Sequence, residues 1–304
     1  MILSNKTYLP YLALTAAAII WGANTPIMKY TLSFVPVFTL AFLRFFFASM
    51  LLLPFVFKQI HFEKKDWFHL FLSAFLGLTV NLTLYFVGLT MTSALNTGII
   101  GGTLPIVTLF FAYVFLSEKV SRRMIIGSAI SLLGLCVIIG KDILLQGLDI
   151  SPLGDAMIFI SNIAFASYIT LSKGLTPRYK PLVLTFFIFF VGSIFFIPGV
   201  AFEYGDNPTW ISHIPVLAIG GIFYGIIFSA LIAFSLWQYG ISKVQETQLG
   251  LFLYISPLIS SLLAICVLGE NLSEEFLIGT LLIFIGLFIA EAHLRHKKSL
   301  HHAS

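Results

Sequence analysis

The chain has 304 residues, of which 59% are hydrophobic and only 10% charged, with a mean hydropathy of +1.00. A soluble globular domain carries about 25% charged residues, so a single water-soluble core is excluded and the composition is that of a polytopic membrane protein. The net charge of +4 does not point to nucleic acid, because the basic residues sort by loop in the manner of membrane topology.

A spanning helix needs about 20 mostly apolar residues. In chain order, spans are expected over 9–31, 36–57, 69–90, 95–117, 123–140, 153–173, 181–202, 214–239, 247–269 and 275–293. Ala16-Ala17-Ala18 imitates a signal-peptide cleavage site, but the apolar run continues through Ile19, Ile20 and Trp21, so this segment reads as a retained first helix. The charge-free run from Leu70 to Ser117 must hold two helices, divided at the small polar turn Thr90-Met91-Thr92-Ser93-Ala94. Pro105 and Pro257 fall inside the fourth and ninth spans, where each frees a carbonyl and invites a bend, as a hinge or as a fixed kink. Cys136 and Cys266 lie in apolar runs with no disulfide or metal-ligand spacing and read as small packing residues.

Orientation follows from counting. With the N-terminus cytoplasmic, fourteen of the seventeen Lys and Arg residues lie on the inner side; Lys29 and Lys141 fall at outer boundaries and Arg44 within a span. The positive-inside rule therefore selects two cytoplasmic termini, and the expected location of this multi-pass chain is the inner membrane.

Gly88, Gly98, Pro105, Glu118, Ser121, Gly127 and Gly134 return 152 residues later as Gly240, Gly250, Pro257, Glu270, Ser273, Gly279 and Gly286. These types shape or cap helices, so their common register marks an internal duplication. An offset of 144 fits the first two helices, pairing Lys29 with Lys173 and Pro54 with Pro198. Extra residues in the outer loop around Glu203 to Trp210 account for the change of register. Each half holds five spans, an odd number, so the second enters the membrane from the opposite side. The expected fold class is all-α, ten transmembrane helices as two inverted five-helix repeats, 1–146 and 147–304, the second ending in a short basic tail. Two antiparallel copies that exchange conformations turn an outward-open cavity into an inward-open one at almost the same energy, which is alternating access.

The segment Gly88-Leu89-Thr90-Met91-Thr92-Ser93-Ala94, followed by Pro105, Glu118, Gly127 and Gly134, resembles the repeat of the EamA family of the drug/metabolite transporter superfamily. Trp21-Gly22 with Lys29 in the first helix, and Leu43-Arg44 in the second, resemble that family's signatures there. The resemblance runs from about Tyr11 to Ala292. It implies export of small polar metabolites such as amino acids, and a central cavity lined mainly by the first, third, fourth, sixth, eighth and ninth helices. The second half departs from the pattern, with Lys243 where the first has Met91 and Ile188 in place of Arg44.

Candidate cavity residues are Trp21, Asn24, Asn81, Tyr85, Asn96, Thr103, Asn162, Tyr168, Tyr224, Trp237, Gln238, Gln248 and Tyr254. Their polar atoms must face a partner or water and not lipid, so helix–helix hydrogen bonding is the alternative reading for each. Tyr85 and Trp237, 152 apart, are expected to project from corresponding places as walls or gates. Arg44 has two readings: a bidentate partner for a substrate carboxylate, or a structural arginine bonding helix-end carbonyls or snorkelling outward. Lys29 and Lys173 read as charges at the two cavity mouths or as snorkelling terminal lysines. Glu118 and Glu270 precede Ser121 and Ser273, which read as N-caps of the fifth and tenth helices, with the acid offsetting the positive helix end.

No Asp or Glu lies in the middle third of any expected span, so coupling through a mid-membrane carboxylate is not supported. The seven histidines lie in loops and the tail, without a paired acid motif. No catalytic site, metal or cofactor is therefore expected. The expected partners are a small-molecule substrate and the bilayer, with pairing of two copies left open and nucleic acid excluded. A receptor or scaffold without transport, and less so a membrane enzyme, are the rival readings.

Overall fold

The computed structural model describes residues 8–92, 97, 100–146, 152–206, 208–256, 259, 263, 274, 277–279, 281–286 and 288–289. Asn96, Gly98, Pro257, Cys266, Glu270 and Ser273 lie outside the described residues. The described backbone is helical, without a strand. Its helices are α1 (Leu9–Leu32), α2 (Val37–Val56), α3 (67–91), α4 (Leu104–Leu116), α5 (Arg122–Gln146), α6 (Pro152–Leu175), α7 (Pro181–Ile194), α8 (Ile197–Asp206), α9 (Val216–Lys243), α10 (Glu246–Phe252) and α11 (Leu277–Gly286). By length and composition, five helices among the described residues can cross a membrane, or six if α7 and α8, bent by 41°, form one span. Large side chains left outside, among them Phe55, Phe68, Phe110, Phe202 and Val216, are apolar. That is the surface of a multi-pass membrane protein and the inverse of a soluble one.

Proline explains where several helices begin. Pro10, Pro105 and Pro181 each sit in a first helical turn, where the missing N–H has no intrahelical acceptor to lose and the fixed φ suits the helix. This corrects the expectation that Pro105 lies mid-helix. The chain turns at Gly102–Thr103, and Pro105 opens α4. The same rule corrects the expected span 181–202, which breaks after Ile194 and restarts as α8, with Pro198 in its first turn. Ser121 caps α5 as expected, its Oγ accepting the Met124 N–H at 3.2 Å. Ser121→Ala is expected to cost about 1 kcal/mol, read as a lower unfolding midpoint in nanodiscs; an unchanged midpoint rejects the cap.

The packing is organised by close approaches at residues the 152 register had singled out. A Cβ on Gly134 would meet Gly279 O at 2.6 Å, and one on Gly286 would collide with Gly127 O and Ser131 Oγ. Ser131 Oγ donates to Ile283 O at 3.3 Å, again a pair 152 apart. The α5–α11 crossing is thus reciprocal: each helix offers the same small positions to the other. A second reciprocal pair joins α3 to α6 and α1 to α9: Gly88 lies against Ile158, and Gly240 against Leu14. Gly88 and Gly240 are 152 apart, Leu14 and Ile158 144 apart.

Two spans also carry wide helical turns at matched places, Phe75–Val80 in α3 and Gly225–Phe234 in α9. Such π segments displace side chains from the usual helical faces and recur at functional sites. Here they open room for bulky neighbours, since the Tyr168 ring lies on Gly77 and the Arg44 stem on Gly225.

Candidate central cavity

Trp21, near the middle of α1, stands at the centre of an aromatic cluster. Its ring lies 5.2 Å from Trp237, 5.0 Å from Phe234 and 6.0 Å from Phe165, and its Nε1 donates to Ser229 O at 3.1 Å. Phe45 and Phe189 extend the cluster behind Phe234. Tilted and edge-on contacts of this kind add about 0.5–1.5 kcal/mol each beyond burial.

On one side of this cluster the candidate residues stay half-buried. Tyr85 OH and Thr25 Oγ1 share a hydrogen bond of 3.1 Å, Tyr224 OH donates to Ile20 O at 2.7 Å, and Lys29, exposed at the end of α1, donates to Thr92 O at 3.2 Å. Thr92 in turn donates to Asp155 Oδ1 at 2.6 Å. Arg44 sits behind these groups and is 2% exposed. Its Nη2 donates to Ser229 Oγ at 2.9 Å, its guanidinium faces the Phe45 and Phe86 rings at 5.2 and 5.4 Å, and Tyr85 and Tyr224 are its electrostatic neighbours. Among the described residues the Nε and Nη1 protons have no acceptor. The expectation of a guanidinium bonded to helix-end carbonyls is therefore not what the structure shows.

On the other side Trp237, Tyr168 and Gln238 are sealed, and Lys173 is half-buried. Trp237 is 0% exposed with an unpartnered Nε1, and Tyr168 OH donates to Gln238 Oε1 at 2.6 Å, leaving Gln238 Nε2 unpartnered. Lys173 donates to the carbonyls of Ile241 and Val244. The Lys29–Thr92 and Lys173–Val244 bonds are the same contact in the two halves, by 144 on the lysine and 152 on its acceptor. Each lysine is therefore a carbonyl-bonded helix end and not a free snorkelling group.

Sequence reasoning missed Glu246. It is fully buried beside Lys173, with Oε1 accepting from Thr170 at 2.5 Å and Oε2 unpartnered. Its place beside the apolar run 247–269 concealed it. Glu118 was expected to serve its own α5; instead its carboxylate accepts the Glu246 and Thr247 N–H groups, each at 3.0 Å, and caps α10. Ser117, left-handed at φ 54°, ends α4 and turns the chain toward that cap.

Three of the remaining candidates bond across to other helices. Asn81 Nδ2 donates to Ser161 O at 2.9 Å, Asn162 Nδ2 to Ile100 O at 2.8 Å and Tyr254 OH to Ser128 O at 3.1 Å. Asn24 is buried with Oδ1 unpartnered, and Gln248 is buried. Where α2, α7 and α9 meet, a separate groove of about 570 Å³ is lined by Phe55, Lys180, Leu231 and Tyr239 among others; it holds none of the candidates.

Two loops are clasped where α2 leads to α3 and α6 to α7. Asp66 accepts from Arg178 and, at 2.6 Å, from Tyr179 OH. Burial, and then the bond to Asp66, push the Tyr179 phenol above its ordinary value. Across the molecule, Glu203 of α8 accepts the Phe38 and Thr39 N–H groups at 2.8 Å and caps α2. Among the described residues no group of His, Cys, Asp and Glu has the makings of a metal site.

The model of the EamA-like transporter family matches residues 9–140 and 152–291. An uncharacterized transporter of Archaeoglobus fulgidus is 27% identical over 293 residues, covering 95% of this chain and 99% of its own length. The uncharacterized transporter YetK of Bacillus subtilis is 28% identical, with 95% and 88% covered. An S-adenosylmethionine uptake transporter of Rickettsia felis is 25% identical, with 91% of each covered. A crystal structure of 19% identity superposes with a TM-score of 0.76, covering 94% of this chain and 98% of that one, a likeness of fold.

Proposed function

The chain belongs to the EamA-like transporter family, and from that membership and the matched geometry of its halves we propose that it is an alternating-access carrier and not an enzyme. In this reading ten helices form two inverted five-helix repeats, 1–146 and 147–304, with both termini in the cytoplasm. The carrier exports small metabolites, amino acids or related amphipathic compounds, across the inner membrane. The solute in the Rickettsia relative's name, S-adenosylmethionine, is an amino-acid derivative and so supports the solute class; that relative is named for uptake and lends no support to the direction.

The observation that carries the proposal is the recurrence of single contacts under the duplication: Lys29–Thr92 within the first half with Lys173–Val244 within the second, and Gly88–Ile158 with Gly240–Leu14 between them. The two stretches matched by one family model support the same reading. Contacts repeated by a pseudo-two-fold let the halves exchange roles at little cost in energy. The halves differ in burial: Tyr85 is half-buried and Lys29 exposed, where their counterparts Trp237 and Lys173 are buried and half-buried. With the Lys29 end outside, this is an outward-facing state, closed inward by the aromatic cluster.

Proteoliposomes preloaded with a panel of amino acids and S-adenosylmethionine test the proposal. At least one solute is expected to exchange with its labelled counterpart, and vesicles of each sidedness report the direction. Movement of no solute above empty liposomes rejects the carrier. Reporter fusions test the inversion: residue 146 and the C-terminal tail on one side of the membrane reject it.

A further inference from the structure

We infer that Arg44 is the anion receptor of the central cavity and that the solute it receives carries a single carboxylate. The inference rests on the carrier reading and adds the charge and class of the cargo to it.

Arg44 is buried to 2% exposure, yet among the described residues its Nε–H and both Nη1–H protons have no acceptor. One neutral hydroxyl, Ser229 Oγ, meets Nη2, and no ion pair with the guanidinium forms among the described residues. A guanidinium cannot shed its charge at ordinary pH. A buried group that cannot discharge and has no counter-ion is costly unless an anion completes it. The buried charge has Tyr85 and Tyr224 as its electrostatic neighbours, both of them half-buried, as is Thr25. Phe45 and Phe86 face the guanidinium, and Trp21 shares Ser229 with it.

The charge count selects the ligand. One guanidinium among neutral phenols and hydroxyls balances one negative charge, so a monocarboxylate fits and a phosphate dianion is left half-neutralised. A planar carboxylate also matches the planar donor array. The rest of the solute would then rest on the aromatic cluster around Trp21, whose faces accept an apolar or cationic group. A zwitterionic amino acid or its derivative has both parts.

The test compares matched ligands on the full chain in nanodiscs, reading the thermal midpoint against concentration. The ligands are the standard amino acids and short 2-oxo acids, each beside its amide or methyl ester, with inorganic phosphate as a further arm. At least one carboxylate is expected to bind, with its amide or ester weaker by tenfold or more, as the loss of a charge-assisted contact requires. Arg44→Gln is expected to bring that carboxylate down to the level of its amide, and Arg44→Lys to fall between. Equal binding of acids and amides by the wild-type protein overturns the inference even if the variants do not fold. So does a panel with no bound carboxylate, preferred binding of phosphate, or an undiminished Arg44→Gln. Counterflow with the bound carboxylate separates the two readings: binding without movement rejects the carrier and keeps the receptor.

Discussion

Gly134→Leu is expected to reduce severely the folded protein recovered from membranes. The position gives its reason: a Cβ there would lie 2.6 Å from Gly279 O and 2.9 Å from both Ile283 N and the Leu282 Cβ. Two of those atoms are backbone, which cannot swing aside as a side chain does. Overpacking a well-filled site costs about 1–3 kcal/mol even where rotamers can yield, and a leucine between two helix backbones forces the helices apart. Gly286→Leu is expected to act alike, because Gly286 meets Gly127 O and Ser131 Oγ in the mirrored contact. Gly220→Leu serves as the control, since no atom lies within 4 Å of its Cβ position. The monodisperse fraction on size-exclusion chromatography is the readout. Wild-type recovery of Gly134→Leu means that α5 and α11 do not cross there.

The second large effect is at Trp237. The aromatic-gate idea foresees lost transport with intact expression for both Tyr85→Ala and Trp237→Ala, but burial separates the two residues. Tyr85 is half-buried beside the open side, whereas Trp237 is enclosed by Trp21, Phe165 and the helix α6. Truncating a fully buried tryptophan to alanine costs about 3–5 kcal/mol through lost transfer energy and a residual cavity. Trp237→Ala is therefore expected to lower the unfolding midpoint strongly as well as to impair transport. Trp237→Phe, which keeps a ring in the cluster, is the cleaner test of gating. It is expected to fold normally and to leak a solute that the wild-type protein retains. A tight Trp237→Phe carrier removes Trp237 from the gate.

Much of the helical framework was legible because it depends on local chemistry. The first two and the sixth helices begin and end within about two residues of the expected spans, since apolar length and flanking polar residues set them. The cap at Ser121 was likewise readable from its place before an apolar run. The misjudged prolines, Pro105 and Pro198, show the limit of the same reasoning. A proline disturbs a helix only if helix precedes it, and whether the chain turns first at Gly102–Thr103 or at Phe195–Phe196 depends on neighbours elsewhere. Of the candidate site, Trp21, Tyr85, Arg44 and Trp237 were visible as residue types in the expected cavity helices or within a span. Which of them would be open, sealed or unpartnered was not.

Composition and the 152 register alone determine that this chain is a membrane protein with repeated special residues, because hydropathy and backbone-shaping types act through their own positions. Tertiary structure decided which atoms complete one another: that Glu118 caps α10 and not its own helix, that Glu246 is buried beside Lys173, and that Arg44 lacks a counter-ion. Burial and hydrogen-bond satisfaction belong to pairs of residues far apart in the chain, here 128 positions between Glu118 and Glu246 and 185 between Arg44 and Ser229. No local pattern encodes such a meeting; it exists only once the helices have packed.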